Sequence, residues 1–188
     1  KAVEFSVRMF GGLDVLVSNA GNFPAGKTIG EMDAETWDRS MQLNLSSHQR
    51  LLTAATPFLE KSWDGSVIFI ASRNVPAPGP GASAYSVAKA GVTQLARIAA
   101  MELGPHGVRV NVLHPDCVYD TGLWSEEVLQ GRAQRYGMTV AEYKSRNVLK
   151  KEVSSKEVAE LVAAVAGPAF SKTTGAQIPI DGGNDRVI

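Results

Sequence analysis

The stretch Gly65-Ser66-Val67-Ile68-Phe69-Ile70-Ala71-Ser72 decides the fold of this chain. Positions 67–71 are five consecutive apolar residues, and all but the last are β-branched or aromatic. An uninterrupted run of this kind is typical of a strand that is covered on both faces of a parallel sheet. Positions 74–81 then contain three prolines and two glycines, which are typical of a loop. The sequence therefore predicts a buried parallel strand that ends in a loop.

Other apolar runs alternate with helical patterns on both sides of this strand. The apolar runs cover residues 13–17, 108–113 and 175–180, and the main helical patterns cover residues 2–10, 34–59, 83–103 and 158–166. Strands that alternate with long helices indicate an α/β protein with a parallel sheet. We therefore predict a single α/β domain whose doubly wound, Rossmann-like parallel sheet is partial, with about four strands present.

The composition excludes several classes of function. The charges of nineteen basic and nineteen acidic residues cancel, so the sequence lacks the excess positive charge that is typical of nucleic-acid-binding proteins. No apolar stretch approaches the ~18 residues of a membrane span. The single Cys117 excludes a disulfide within the chain and suits a reducing cytoplasm. His106 and His114 lack the spacing of metal ligands. We expect a cytoplasmic protein that binds neither nucleic acid nor membrane and has no metal site.

Tyr85 and Lys89 lie four residues apart on the predicted helix 83–103. This spacing places them on the same face, about 6 Å apart along the helix axis. An ammonium group so placed favours a phenolate, so we expect Lys89 to lower the pKa of Tyr85. Such a tyrosine could exchange a proton with an alcohol or carbonyl oxygen. The pair alone is a weak signal, and an ordinary solvated helix face would explain it equally well.

Three further features strengthen this interpretation. Ser72 ends the strand thirteen residues before Tyr85, at the carboxyl edge where open α/β sheets bind ligands. Asn19-Ala20-Gly21 follows the first predicted strand and would lie along the same crevice. Asn44 lies within the long helix 34–59, where asparagine is unfavourable. Its side chain could be turned toward the site or could lie on the surface.

Taken together, these residues resemble the motifs of the short-chain dehydrogenase/reductase family over essentially the whole chain. The resemblance implies that Tyr85 is the general acid/base and that Lys89 binds the nicotinamide ribose and lowers the tyrosine pKa. It also implies that Ser72 orients the carbonyl and that Asn44 holds a water molecule in a proton relay. The matching segments are Asn19-Ala20-Gly21, Asn44, Ser72, Tyr85-Ser86-Val87-Ala88-Lys89, Asn111, Pro115, Thr174-Gly175 and Asp181-Gly182-Gly183.

The same resemblance implies NAD or NADP as cofactor and a small-molecule alcohol, aldehyde or ketone as substrate. It also implies a homo-oligomer. The residues that it assigns to the cofactor are Asn19, Ala20, Gly21, Tyr85, Lys89, Pro115, Val118 and Thr121.

The sequence departs from the family at three places. No strand followed by a glycine-rich phosphate loop precedes Asn19, so residues 1–188 resemble the C-terminal catalytic portion of the family's domain. We therefore expect weak dinucleotide binding and an uncovered sheet edge at Val15–Val17, where chains associate readily. Asp116 replaces the glycine of the family's Pro-Gly pair, which would put a carboxylate near the nicotinamide. Ser18 replaces an asparagine of Asn-Asn-Ala-Gly.

One segment imitates a dinucleotide-binding loop. Gly79-Pro80-Gly81-Ala82-Ser83-Ala84 fits the pattern Gly-x-Gly-x-x-Ala. Pro80 lacks the backbone N–H that would bind phosphate, and no tight turn joins the loop to the preceding strand. We interpret this segment as a loop on the substrate side.

Residues 124–147 are interpreted as a substrate lid. Together with residues 173–183 they resemble the dehydrogenase part of bifunctional aldolase/short-chain dehydrogenase proteins, which implies a small hydroxyaldehyde or a sugar-derived alcohol as substrate. Two other functions remain open. A truncated, non-catalytic binding or scaffold module would share every motif except activity. A serine hydrolase that uses Ser72 is disfavoured because the chain has no Gly-x-Ser-x-Gly segment.

Overall fold

The computed structural model describes residues 1–24 and 26–183, and its helices alternate with the strands of a single sheet. The strands are β1 (Val15–Ser18), β2 (Ser66–Ile70), β3 (Arg109–Pro115) and β4 (Gln177–Ile180); the helices are α1 (Ala2–Phe10), α2 (Ala34–Met41), α3 (Ser47–Leu59), α4 (Ser83–Leu103), α5 (Glu126–Arg135), α6 (Val140–Lys144) and α7 (Ser155–Ala166). None of the helices in the described part of the chain has the length and apolar character needed to cross a bilayer.

The four strands pair in the order β1-β2-β3-β4, and every pairing is parallel. Val17 lies opposite Ile68, and Ile68 lies opposite Asn111. The prediction of a Rossmann-like parallel sheet with about four strands is therefore confirmed. All carboxyl ends lie at one edge, so the loops that follow β1, β2 and β3 meet there.

Helices cover both faces of the sheet, which explains the apolar character of β2 and β3. On one face, Val67 and Phe69 pack with α3 and α4 in the larger hydrophobic cluster. On the other face, Ile68 and Leu113 pack with Val165 of α7. Every residue of β2 and β3 is buried. The central strands therefore form a rigid base for the loops at their carboxyl ends.

β1 is buried on one face only, although residues 13–17 form an apolar run like that of β2. Leu16 and Ser18 face the larger cluster and are buried, whereas Val15 and Val17 are each 42% exposed. The physical reason is that α7 packs over β2 and β3 and does not extend to β1. In the described part of the chain β1 is also an edge strand, as expected.

The long helix predicted over 34–59 exists, but one wide turn divides it. Asp33 begins α2 by accepting the backbone N–H of Thr36 at 2.8 Å. A π-helical turn over Gln42–Ser46 then separates α2 from α3. Single π turns inside α-helices occur frequently at functional sites, and Asn44 lies in this one. A capping box between Ser154 and Glu157 begins α7.

Candidate active site

Tyr85 and Lys89 lie on successive turns at the start of α4, as predicted. Lys89 is only 2% exposed, and its Nζ donates a 2.7 Å hydrogen bond to the carbonyl oxygen of Ile70 at the end of β2. Nζ lies 5.8 Å from the centroid of the Tyr85 ring. Burial lowers the pKa of Lys89 to about 8. The strand end thus holds an ammonium group beneath the phenol.

The Tyr85 ring packs against Phe23, with 4.9 Å between the ring centroids. Burial raises the pKa of Tyr85 above its usual range, and the contact with the Ser72 hydroxyl acts in the opposite direction. The net shift of the Tyr85 pKa is therefore opposite in direction to the predicted one. The reason is that desolvation of the buried phenol dominates the shift.

Ser72 lies two residues beyond β2, and its hydroxyl reaches the Tyr85 side chain. The Ser72 Oγ accepts the backbone N–H of Asn74 at 3.1 Å. The Ser72 carbonyl oxygen lies 2.9 Å from Nδ1 of His114, which is buried on β3. Because both its hydroxyl and its carbonyl are engaged, Ser72 has a defined orientation.

Asn44 is 1% exposed, so its side chain is turned inward, and the surface alternative is excluded. Its Oδ1 accepts the backbone N–H of Asn22 at 2.9 Å, and its Nδ2 donates to the Asn22 carbonyl at 2.9 Å. Nδ2 also donates to the Ser40 hydroxyl at 3.1 Å. Asn44 therefore fixes the loop after β1. The role in a water relay stays a prediction.

Asn19, Ala20 and Gly21 form an exposed backbone segment directly after β1. Gly21 approaches the buried polar groups so closely that a Cβ there would lie 3.0 Å from Oδ1 of Asn44 and 3.4 Å from Nζ of Lys89. Glycine is required for this close approach. The structure thus brings the Asn19–Gly21 segment together with Asn44 and Lys89.

The loop after β3 contains the remaining predicted cofactor residues. Pro115 is the last residue of β3, and the Thr121 hydroxyl donates to the Val118 carbonyl at 2.9 Å. The thiol of Cys117, between them, lies close enough to Tyr85 to contribute to its raised pKa. Asp116 forms an ion pair with Arg73, so its carboxylate is engaged within the protein.

Three contacts at this site were missed by the sequence analysis. Arg73 pairs with Asp116, His114 holds the Ser72 carbonyl, and Phe23 packs on Tyr85. The departure at Asp116 was the available signal for the first contact, because a buried carboxylate needs a partner. The other two contacts join distant segments and had no local pattern.

The matching motif residues outside the site have structural roles. The Asn111 side chain donates to the Thr173 carbonyl at 2.9 Å and accepts the Ala176 backbone N–H at 3.1 Å. The Thr174 hydroxyl accepts the backbone N–H of Val110 at 3.0 Å. These contacts connect β3 to the segment that leads into β4.

The segment interpreted as a lid forms α5 and α6 and has its own small aromatic cluster. Tyr119 packs against Trp124 and Tyr143, at centroid distances of 5.0 and 6.0 Å. The Arg146 guanidinium lies 4.4 Å from the centroid of the Tyr143 ring.

Comparison with known proteins agrees with this geometry. The family model described as enoyl-(acyl carrier protein) reductase matches residues 1–185. The chain is 33% identical to the uncharacterized oxidoreductase YuxG of Bacillus subtilis (strain 168), over 97% of the chain and 27% of that protein. It is also 33% identical to trans-4-hydroxycyclohexanecarboxylate dehydrogenase of Sinomonas cyclohexanicum, over 97% of the chain and 64% of that protein.

A solved dehydrogenase structure is also similar to this chain. The crystal structure of carveol dehydrogenase from Mycobacterium avium in complex with NAD superposes with a TM-score of 0.88 and 27% identity, over 97% of this chain and 68% of that one. The chain spans less than two thirds of the length of the two sequence relatives above. With the family model matched across almost every residue, the chain belongs to the short-chain dehydrogenase/reductase family.

Proposed function

We propose that this protein is an NAD- or NADP-dependent oxidoreductase that interconverts an alcohol and a carbonyl compound, with Tyr85 as the general acid/base. The observation that carries this proposal is the convergence of the Tyr85 phenol, the Ser72 hydroxyl and the Lys89 ammonium at one sheet edge. A donor beside a carbonyl oxygen, oriented by a hydroxyl, is what proton transfer to that oxygen requires.

The residues at this edge fit a nicotinamide dinucleotide. The exposed backbone of Asn19–Gly21 lies beside the Lys89 ammonium, which could donate to ribose hydroxyls. Pro115, Val118 and Thr121 would face the nicotinamide from the loop after β3. NAD is named in the carveol dehydrogenase complex, and the choice between NAD and NADP is open for this chain. When bound, the nicotinamide would accept or supply the hydride.

The residues of this chain would handle the proton. In the reducing direction the Tyr85 hydroxyl donates its proton to the substrate oxygen, and in the oxidising direction it takes that proton back. The raised pKa of Tyr85 keeps the phenol protonated at neutral pH, as protonation of a carbonyl requires. Ser72 would donate a hydrogen bond to the same oxygen, and its backbone contacts hold it ready to do so.

We propose a broad substrate class and, within it, a narrower one. Two of the proteins that the chain resembles are named as dehydrogenases of small hydroxylated molecules, and we propose a small-molecule alcohol, aldehyde or ketone. A small hydroxyaldehyde or sugar-derived alcohol is the narrower proposal from the lid sequence. We also propose that the protein works in the cytoplasm as a homo-oligomer.

The activity test uses the protein as its gene encodes it. We expect dehydrogenation of one or more alcohols from a panel, followed by the absorbance of reduced nicotinamide with NAD and with NADP. Tyr85→Phe should lower kcat by about 100-fold or more, because the proton donor is removed. Thr53→Val, which removes an exposed hydroxyl from α3, is the control and should retain activity.

The second candidate function is a non-catalytic binding or scaffold module. The absence of a glycine-rich phosphate loop after a strand in this sequence favours it for the chain of residues 1–188 taken alone. We propose that this chain binds dinucleotide weakly or not at all. Titration with NADH and NADPH by fluorescence tests this, and micromolar affinity would contradict it. An inactive full-length protein across the alcohol panel would favour the module.

A further inference from the structure

The loops that follow β2 and β3 are tied together immediately beyond Ser72. The backbone N–H of Arg73 donates to the Pro115 carbonyl at 3.0 Å, which continues the parallel pairing past the strand ends. The Arg73 Nε donates to Oδ1 of Asp116, and the same oxygen accepts the backbone N–H of Cys117 at 2.7 Å. Together these bonds form a closed link between residue 73 and residues 115–117.

The charges in this link lie largely inside the protein. The side chains of Arg73 and Asp116 are only 13% and 10% exposed. A charge buried to this extent is costly unless it is paired and hydrogen-bonded, so each group depends on the other. The family resemblance places a glycine at position 116, whereas this chain has an acidic residue there together with a buried arginine opposite.

Residues close to the proposed reaction lie on both sides of this link. On one side, Arg73 directly follows Ser72, whose carbonyl is held by His114. On the other side, Asp116 directly precedes Cys117 and accepts its backbone N–H, and charge on the Cys117 sulfur would raise the pKa of Tyr85. The two charged groups contact each other and the backbone beside Cys117, so we expect their effect on the reaction to pass through these neighbours.

Resting on the proposed function, we propose that Arg73 and Asp116 are a positioning pair that fixes the Ser72 hydroxyl and the Cys117 loop relative to Tyr85. The pair acts through the backbone on either side of it. A glycine at position 116 has no side chain to make this contact, whereas Asp116 of this chain makes it. Loss of either charge should therefore loosen both Ser72 and residues 116–118.

The first test is a cycle of variants in the full-length protein. We expect Arg73→Gln to lower kcat by about tenfold or more when Ser72 is present, and by less than about twofold in the Ser72→Ala background. A purely structural role would lower activity by the same factor in both backgrounds, and this result would overturn the proposal. Lys156→Gln, which breaks the exposed pair with Glu160, is the matched control.

A second variant covers the case in which Arg73→Gln leaves Asp116 buried and the protein unstable. The double variant Arg73→Gln/Asp116→Asn removes both charges and should fold, because no lone buried charge remains. We expect it to keep the loss of kcat. Recovery of wild-type kcat in the double variant would show that charge balance alone matters, and would overturn the proposal.

The second test does not depend on activity. Cys117 is the single cysteine of this sequence, and its rate of modification by a neutral thiol reagent reports on the loop after β3. We expect Arg73→Gln and the double variant to react about tenfold faster than the wild type at Cys117 when the rates are compared per thiolate, from their pH dependence, by peptide mass spectrometry. An unchanged rate would overturn the proposal. If the variants are modified faster at Cys117 but the wild type oxidises no alcohol, the proposed function is contradicted, while the role of the Arg73–Asp116 link in fixing the loop is supported.

Discussion

The Nζ atom of Lys89 lies 2.7 Å from the carbonyl oxygen of Ile70, to which it donates a hydrogen bond inside the protein. This carbonyl is at the carboxyl end of β2, so the strand itself places the ammonium group beneath the crevice. The pKa of Lys89 falls to about 8 because burial disfavours its charge. The buried charge of Lys89 therefore lowers the free energy of unfolding at neutral pH, although the ammonium group is part of the proposed active site.

Lys89→Met should separate the effect of the buried charge on stability from its role in cofactor binding and activity. A methionine keeps much of the apolar stem and removes the buried charge, so we expect the free energy of unfolding at pH 7 to rise by about 1–2 kcal/mol. The gain should shrink at pH values above 8, where Lys89 in the folded protein is neutral. Dinucleotide affinity and activity should fall at the same time. Urea unfolding at several pH values measures the first effect, and a loss of stability at pH 7 would contradict it.

Gly21→Ala should disturb the loop after β1. The added Cβ would lie 3.0 Å from Asn44 Oδ1, so Asn44 must shift and weaken its bonds to Asn22. We expect a loss of about 1–2 kcal/mol in the free energy of unfolding and weaker dinucleotide binding by the full-length protein. Gly30→Ala is the matched control, because a Cβ there meets nothing within 4 Å. Equal behaviour of the two variants would exclude a packing role for Gly21.

His48 should make the fold sensitive to acid. It is 1% exposed, its Nδ1 lies 2.6 Å from the Ser18 hydroxyl, and burial, with a smaller contribution from the Lys89 charge, lowers its pKa to about 4. The unfolded chain takes up a proton near pH 6.5 and the folded chain only near pH 4. The stability contributed by neutral His48 is therefore complete above pH 6.5 and is lost as the pH falls through this window.

We expect this loss to reach up to about 3 kcal/mol at pH 4. His48→Gln should flatten the curve of unfolding free energy against pH in this window. Some slope should remain, because burial also lowers the pKa of His114. Denaturant unfolding between pH 4 and 7 provides the measurement, with the half-exposed His106→Gln as control. A curve unchanged by His48→Gln would count against the buried neutral histidine.

The edge of β1 should promote self-association of the 188-residue chain. Val15 and Val17 are each 42% exposed on a strand with one unpaired edge in the described part of the protein. We expect concentration-dependent association that Val17→Lys reduces, because charged residues on an edge strand oppose pairing. Val128→Lys is the matched control, since this valine of α5 has the same exposure. Light scattering at several concentrations decides between these outcomes.

The order of elements could be predicted because the signals are local. The five apolar residues at 67–71 indicate a strand without knowledge of any partner, and Gly104-Pro105 marks where α4 ends. The spacing of Tyr85 and Lys89 follows from helix geometry alone. Ser72 was placed correctly at the crevice because it ends a strand that the pattern identifies.

What could not be predicted depends on contacts between distant segments. Nothing in Gln42-Leu43-Asn44 indicates a π turn, which forms where α2 and α3 pack against different neighbours. The exposure of Val15 depends on how far α7 extends over the sheet. The pKa of Tyr85 was predicted in the wrong direction because helical spacing gives the proximity of Lys89 without giving its hydrogen-bond partner or the burial of the phenol.

The wide turn at Gln42–Ser46 also sets the rotational phase between the two halves of this helix. One additional residue in a turn rotates everything downstream by about 100° around the helix axis. Residues before the turn can thus present their contact face to α4, while those after it pack against α1 and β1 as well as α4. Deletion of one residue here would leave a regular helix whose halves are out of phase, with one of them facing away from its neighbours.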